Sequence, residues 1–109
     1  MEATTAPLTA AAILAELARN QQRLHALGVR SLGVFGSYSR GDQSADSDID
    51  VLVDLISPSF DSYMDLKFWL EDTFSLPVDL VLVETLKPQL RPTILREVVY
   101  AEGLSPVSR

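Results

Sequence analysis

Gly33–Leu55 reads GVFGSYSRGDQSADSDIDVLVDL, and its pattern decides the fold. The apolar end of one strand meets Gly36-Ser37, a polar loop follows from Asp42 to Ser47, and Ser47 to Leu55 forms a second strand. That second run carries Asp48 and Asp50 among apolar residues. Residues two apart on a strand share a face, so both acids point one way while Ile49, Val51 and Val53 point the other. Folding alone does not choose neighbouring carboxylates on a half-buried strand, because like charges repel and resist loss of water. A metal ion reverses the sign of that argument.

Outward from this stretch, helices and strands alternate. Thr9 is the expected N-cap of a first helix through Leu27, with Gly28 just past its end and residues 1–8 frayed. His25, the sole histidine, reads as an ordinary surface or boundary residue of that helix. Arg30 to Phe35 is the first strand. Asp61 suits the N-cap of a helix to Phe74, Leu76-Pro77 ends it, and Val78 to Val83 is a third strand rich in β-branched residues. Pro92 suits the first turn of a last helix, with an apolar stripe of Ile94, Leu95, Val98 and Val99 and a stop at Gly103. Residues 104–109 read as a flexible tail. The fold class is therefore α+β, with a three-stranded or slightly larger mixed sheet covered by helices on one face.

At 109 residues the chain is read as one domain with a single two-layer core, and 47% hydrophobic residues exclude a disordered chain. A formal net charge of −6 argues against direct binding of nucleic acid. With no cysteine, thiolate zinc sites, disulfides and cysteine nucleophiles are excluded. Glu16 and Arg19 interrupt the apolar N-terminal residues, so they fit neither a secretory signal nor a membrane span, and cytoplasm is the expected compartment.

Asp79 is a third acid of interest. It lies on the opposite strand face from Leu80 and Leu82, and pairing of the third strand with the second would set it beside Asp48 and Asp50. Three carboxylates form a hard, all-oxygen set suited to Mg²⁺ or Mn²⁺, completed by substrate phosphates. Gly36 lets backbone approach a phosphate, and Ser37 adds a hydroxyl for a terminal phosphate oxygen. Arg40 could contact phosphate or clamp the acidic loop; both readings stand. Two other motifs fail: the EF-hand pattern from Asp46 lacks its glycine at Val51 and its glutamate at Ser57, and the P-loop spacing Gly36–Gly41 lacks the following lysine.

Gly36-Ser37, ten intervening residues, then Asp48-Ile49-Asp50, with Asp79 in VDLVLV, resembles the signature of the polymerase β-like nucleotidyltransferase superfamily. The length most resembles its minimal nucleotidyltransferases, which pair with HEPN-domain proteins as antitoxins. The resemblance implies that Gly36 and Ser37 bind the triphosphate of ATP and that Asp48 and Asp50 hold two metal ions. It implies that Asp79 holds one ion and helps deprotonate the acceptor, a tyrosine hydroxyl of the HEPN toxin. Two alternatives are carried beside it. One is a binding module that occludes a partner through the aromatic helix bearing Phe60, Tyr63, Phe68 and Trp69, although helical spacing favours burial of those side chains in the core. The other is nucleotide transfer to a small molecule such as an aminoglycoside, for which the helical domain of larger relatives is missing.

Overall fold

The computed structural model describes residues 8–106. The expected frayed start and tail lie outside these residues except at their inner ends, and there the chain is held. Leu8 packs against the core and its carbonyl accepts from Gln43 Nε2. Leu104 is fully buried, and its carbonyl accepts from the Leu32 N–H at 2.9 Å.

The elements run α1 (Ala10–Arg19), α2 (Gln21–Ala26), β1 (Val29–Phe35), α3 (Gly36–Arg40), β2 (Ile49–Leu55), α4 (Phe60–Phe74), β3 (Val78–Leu82), a short 3₁₀ turn (Val83–Thr85), α5 (Arg91–Glu97) and β4 (Val99–Tyr100). Four strands form one mixed sheet in the order β3-β2-β1-β4, with β2 and β3 parallel and the other pairs antiparallel.

Sequence alternation explains the layering. Ile49, Val51, Val53 and Leu55 of β2 join Leu32 and Val34 of β1 and Val78 and Leu80 of β3 in one buried cluster. Ile13 and Leu17 of α1, Leu24 of α2, and Leu66 and Leu70 of α4 complete it from the helices. The opposite parity of β2 and β3 carries Asp50, Leu52, Asp54 and Asp79 on the other face.

Several boundaries differ from the sequence reading: β1 starts at Val29 rather than Arg30, and β2 starts at Ile49 rather than Ser47, which leaves Asp48 just outside the strand. The first helix is broken at Asn20, whose side chain turns back to bond the Glu16 carbonyl. Asn competes with the helix ladder in this way. Helix α4 starts one residue before Asp61, because Ser59 and Ser62 form a reciprocal capping box. The third strand ends at Leu82, and Val83 enters the 3₁₀ turn. The last helix stops at Glu97 rather than running to Gly103, and Val99-Tyr100 adds to the free edge of β1 instead. β-Branched and aromatic residues favour that outcome once an open strand edge lies beside them. A side chain at Gly33 would meet Val98 Cγ2 at 2.7 Å and the Val99 carbonyl at 2.8 Å, so the missing Cβ lets β4 close in.

β3 is the other sheet edge, and α4 covers it. Tyr63, Lys67 and Glu71 lie one turn apart along a single helix face. Their side chains bond the Leu80 carbonyl at 2.6 Å, the Val78 carbonyl at 2.7 Å and the Val78 N–H at 3.0 Å. Edge backbone groups that would otherwise pair with another strand are thereby occupied.

His25 sits at the end of α2, with Nδ1 3.1 Å from the Val29 carbonyl and Nε2 3.0 Å from that of Gly103. It ties the helix end to the start of β1 and to the turn at Gly103. Among the described residues no helix is long and apolar enough to cross a membrane.

Candidate functional site

The site is built where β1 ends and β2 begins. Phe35 is extended, and the chain then turns at Gly36 with φ +74° into the five-residue helix α3. That conformation favours glycine, and a second reason is spatial. A Cβ on Gly36 would run into the Asp50 carboxylate, with Oδ2 as its nearest atom. Gly36 Cα therefore packs directly against the acid. The antiparallel register enforces this, since Phe35 pairs with Asp50.

Parallel pairing of β2 with β3 sets Asp50 opposite Asp79, on the face away from the core. The α4 bonds at Val78 and Leu80 flank Asp79 on both sides and fix its place on the edge strand. Asp48 lies one residue before β2 and is exposed, as is Asp79, while Asp50 is half-buried. In the loop before them, Ser47 Oγ accepts from the Ser44 N–H at 2.9 Å. Burial first, then the Asp79 and Asp48 carboxylates, pushes Asp50 up to about 6. Arg40 opposes that rise and Glu97 adds to it. Asp50 is thus close enough to feel both other acids. Among the described residues no three His, Cys, Asp or Glu side chains stand together as a ready-made metal cage.

The donor chemistry nonetheless fits a divalent ion. Asp50 is half-buried with Asp79 opposite it, and burial first, then the Asp79 and Asp48 charges, makes it resist ionisation. A bound Mg²⁺ or Mn²⁺ accepts such all-oxygen ligands and reverses the repulsion.

Ser37 is half-buried on the first turn of α3, and its carbonyl accepts from the N–H groups of Gly41 and Asp42. Gly41, at φ +81°, ends the helix. Of the two readings left open for Arg40, the clamp is the one visible in these contacts. Its guanidinium bonds Asp42 Oδ2 at 3.2 Å and Glu97 Oε2 at 2.9 Å, and both bonds hold it more firmly charged.

Glu97 is the residue that sequence reasoning missed. Its Oε1 accepts from the Gly36 N–H at 2.9 Å, and its backbone carbonyl accepts from Ser39 Oγ at 2.6 Å. No local pattern marks it, because it reaches α3 from the far end of the chain. The aromatic helix also departs in part from expectation. Tyr63 and Trp69 pack against the core, but Phe60 is 77% and Phe68 59% exposed. Phe68 projects from the helix side opposite Leu66 and Leu70, and Phe60 sits at the first residue of the helix.

Residues 13–101 match the family model for the nucleotidyltransferase domain. A curated relative, the protein adenylyltransferase MntA of Thermococcus cleftensis, is 50% identical over 74 residues, covering 67% of this chain and 75% of the relative. A solved structure presented as a minimal nucleotidyltransferase superposes with a TM-score of 0.73 at 30% identity, over 84% of this chain and 95% of that one. Two further structures share the fold at lower identity. One is a toxin–antitoxin complex with AMP-PNP, with TM-score 0.62, 23% identity and coverage of 82% and 75%. The other is the tri-AMPylated HEPN toxin of Shewanella oneidensis with its MNT antitoxin, with TM-score 0.52, 20% identity and coverage of 76% and 69%.

Proposed function

The chain belongs to the nucleotidyltransferase domain family, and from that premise we propose that it transfers AMP from ATP to a tyrosine hydroxyl of a HEPN-domain partner, whose toxicity it thereby controls. The observation that carries this reading is the juxtaposition of Asp50 with Asp79 across the β2–β3 pair, with the Gly36 turn packed on Asp50. The 50% identity to a protein adenylyltransferase supports the choice of acceptor class. The fold shared with the AMP-PNP complex and with the AMPylated HEPN complex supports the nucleotide and the partner.

In this reading Asp48 and Asp50 hold Mg²⁺, or Mn²⁺, and Asp79 shares in that set. The ions supply charge neutralisation for the attacking and leaving oxygens of an in-line displacement. Gly36 and Ser37 orient the triphosphate, Gly36 by turning the chain from β1 into α3 and Ser37 through its hydroxyl. The acceptor oxygen forms a bond to the α-phosphorus as the bond to the β-phosphate oxygen breaks. Pyrophosphate leaves, and Asp79, exposed at the sheet edge, receives the hydroxyl proton. Arg40 stays in its clamp with Glu97 and Asp42 and secures the turn rather than the nucleotide.

Intact-mass spectrometry of the HEPN-domain protein after incubation with this chain and Mg-ATP tests the reading. A nucleotide-sized gain is expected with the unaltered chain and none with Asp48→Ala/Asp50→Ala. An equal gain with the double variant sinks the assignment. The exposure of Phe60 and Phe68 favours a second reading, neutralisation by occlusion. Under it the double variant neutralises the partner as well as the unaltered chain does.

A further inference from the structure

We propose that Glu97 is a positioning residue for the transfer site, acting through Gly36 to hold the Asp50 carboxylate in its metal-binding pose. The inference rests on the reading of Asp50 as a metal ligand given above.

Three hydrogen bonds run from this one residue to α3. Oε1 takes the Gly36 N–H at 2.9 Å, Oε2 takes Arg40 Nη1 at 2.9 Å, and the backbone carbonyl takes Ser39 Oγ at 2.6 Å. A five-residue helix cannot hold itself together, because nucleation costs more than so few internal bonds return. Its pose must come from outside, and Glu97 grips both its first and last residues. The grip is itself anchored. Glu97 ends α5, and two residues on, Val99 and Tyr100 pair with Val34 and Gly33 of β1. The carboxylate is therefore fixed relative to the sheet that carries Asp50.

The link to the acid runs through Gly36. Its Cα abuts the Asp50 carboxylate so closely that no Cβ fits between them. Any swing of the Gly36 peptide would change the space that Asp50 occupies. Partners one step removed from a metal typically set ligand orientation, and their loss costs about 10–100-fold in metal affinity. The Arg40 bond offsets part of the charge that Glu97 brings near Asp50.

The test is Mn²⁺ binding to the protein alone, followed by the electron paramagnetic resonance of free Mn²⁺, with melting temperatures measured alongside. Glu97→Met and Glu97→Gln are close in length and differ in whether the Gly36 N–H keeps an acceptor. Glu97→Met is expected to weaken Mn²⁺ binding about tenfold, and Glu97→Gln to stay within about threefold of the unaltered protein because it retains that acceptor. In transfer assays Glu97→Met should lower kcat with little change in KM for ATP. If Glu97→Met does not fold, Glu97→Asp takes its place, since the shorter side chain draws the carboxylate back from Gly36. Mn²⁺ affinity unchanged in the methionine or aspartate variant overturns the inference and leaves the reading of the acids intact. Equal weakening in the glutamine variant, in step with its melting temperature, overturns it as well by reducing Glu97 to a stabilising contact. Absence of Mn²⁺ binding by the unaltered protein, indistinguishable from Asp50→Asn, overturns the reading and the inference together.

Discussion

Asp79 of β3 stands opposite Asp50 of β2 in the parallel register, and burial first, then the Asp79 and Asp48 charges, pushes the Asp50 carboxyl up to about 6. The sign of the consequence follows from linkage. The folded state binds this proton more tightly than the unfolded chain, whose Asp titrates near 3.8. Between those values the native state carries more protons, so stability falls as pH rises, and the full penalty is in place above about 6. Asp50→Asn should therefore melt higher than the unaltered protein at about pH 8, with the difference closing by about pH 4. Partial exposure screens the effect and makes it smaller than the bare shift implies. Thermal melts at the two pH values decide it; an asparagine variant that melts lower at the alkaline value contradicts the crowding argument.

Divalent ions should act on the same charge. Mg²⁺ or Mn²⁺ added at about pH 8 is expected to raise the melting temperature of the unaltered protein and to leave Asp50→Asn unmoved, because a ligand that binds only the folded state stabilises it by mass action. Equal stabilisation of both proteins would place the ion elsewhere.

Gly36 opens α3 and Gly41 caps its end, and the two should respond differently to alanine. Gly36→Ala combines a left-handed backbone with a Cβ driven into Asp50, whereas Gly41→Ala meets no atom within 4 Å and carries only the backbone strain. Gly41→Ala should cost about 1 kcal/mol. Gly36→Ala should cost more and also weaken Mn²⁺ or Mg-ATP binding by at least about tenfold, since the displaced group is itself the expected ligand. Denaturant titration with nucleotide binding on both variants makes the comparison. Equal stability and equal binding in the two would remove the special role given to Gly36.

The acid strand and the glycine turn were legible because their determinants are local. Asp50 declares its face by alternation with Ile49 and Val51, and Gly36-Ser37 punctuates a strand end, whereas Asp48 falls one residue before β2. Val78 to Leu82 was readable for the same reason. Glu97 was not, since its partners lie 57 and 61 residues away and nothing in RPTILREVV distinguishes a tether from a solvated helix charge. Val99-Tyr100 was read as the end of a helix because the free β1 edge that recruits it is a tertiary fact. The exposure of Phe60 and Phe68 escaped for a related reason. An aromatic at helical spacing implies an apolar stripe but not which stripe the sheet covers, and Leu66 and Leu70 took that place.

Tyr63 offers a test of how the edge strand is held. Its hydroxyl donates to the Leu80 carbonyl at 2.6 Å, one residue beyond Asp79. Tyr63→Phe keeps the ring packed against the core and removes only this bond, so a loss of about 1 kcal/mol is expected. Amide hydrogen exchange along Val78–Leu82 should accelerate in the variant while β1 stays protected. Uniform acceleration across the sheet would show that the bond contributes to global stability alone.

The aromatic helix permits the last comparison, between two exposed phenylalanines and a buried leucine. Phe60 and Phe68 keep 77% and 59% of their surface in water, so little hydrophobic stabilisation depends on them. Leu66 is fully buried among the residues that join α4 to the sheet. Phe60→Ser and Phe68→Ser should each cost less than about 1 kcal/mol, as surface substitutions do. Leu66→Ala should cost about 2–5 kcal/mol, since it leaves a cavity that close-packed neighbours fill only in part. Urea titration of the three variants reads the difference through the midpoint at unchanged slope. If either serine variant loses as much as Leu66→Ala, α4 is packed through the face that this fold turns to solvent, and the placement of Asp79 by that helix fails with it.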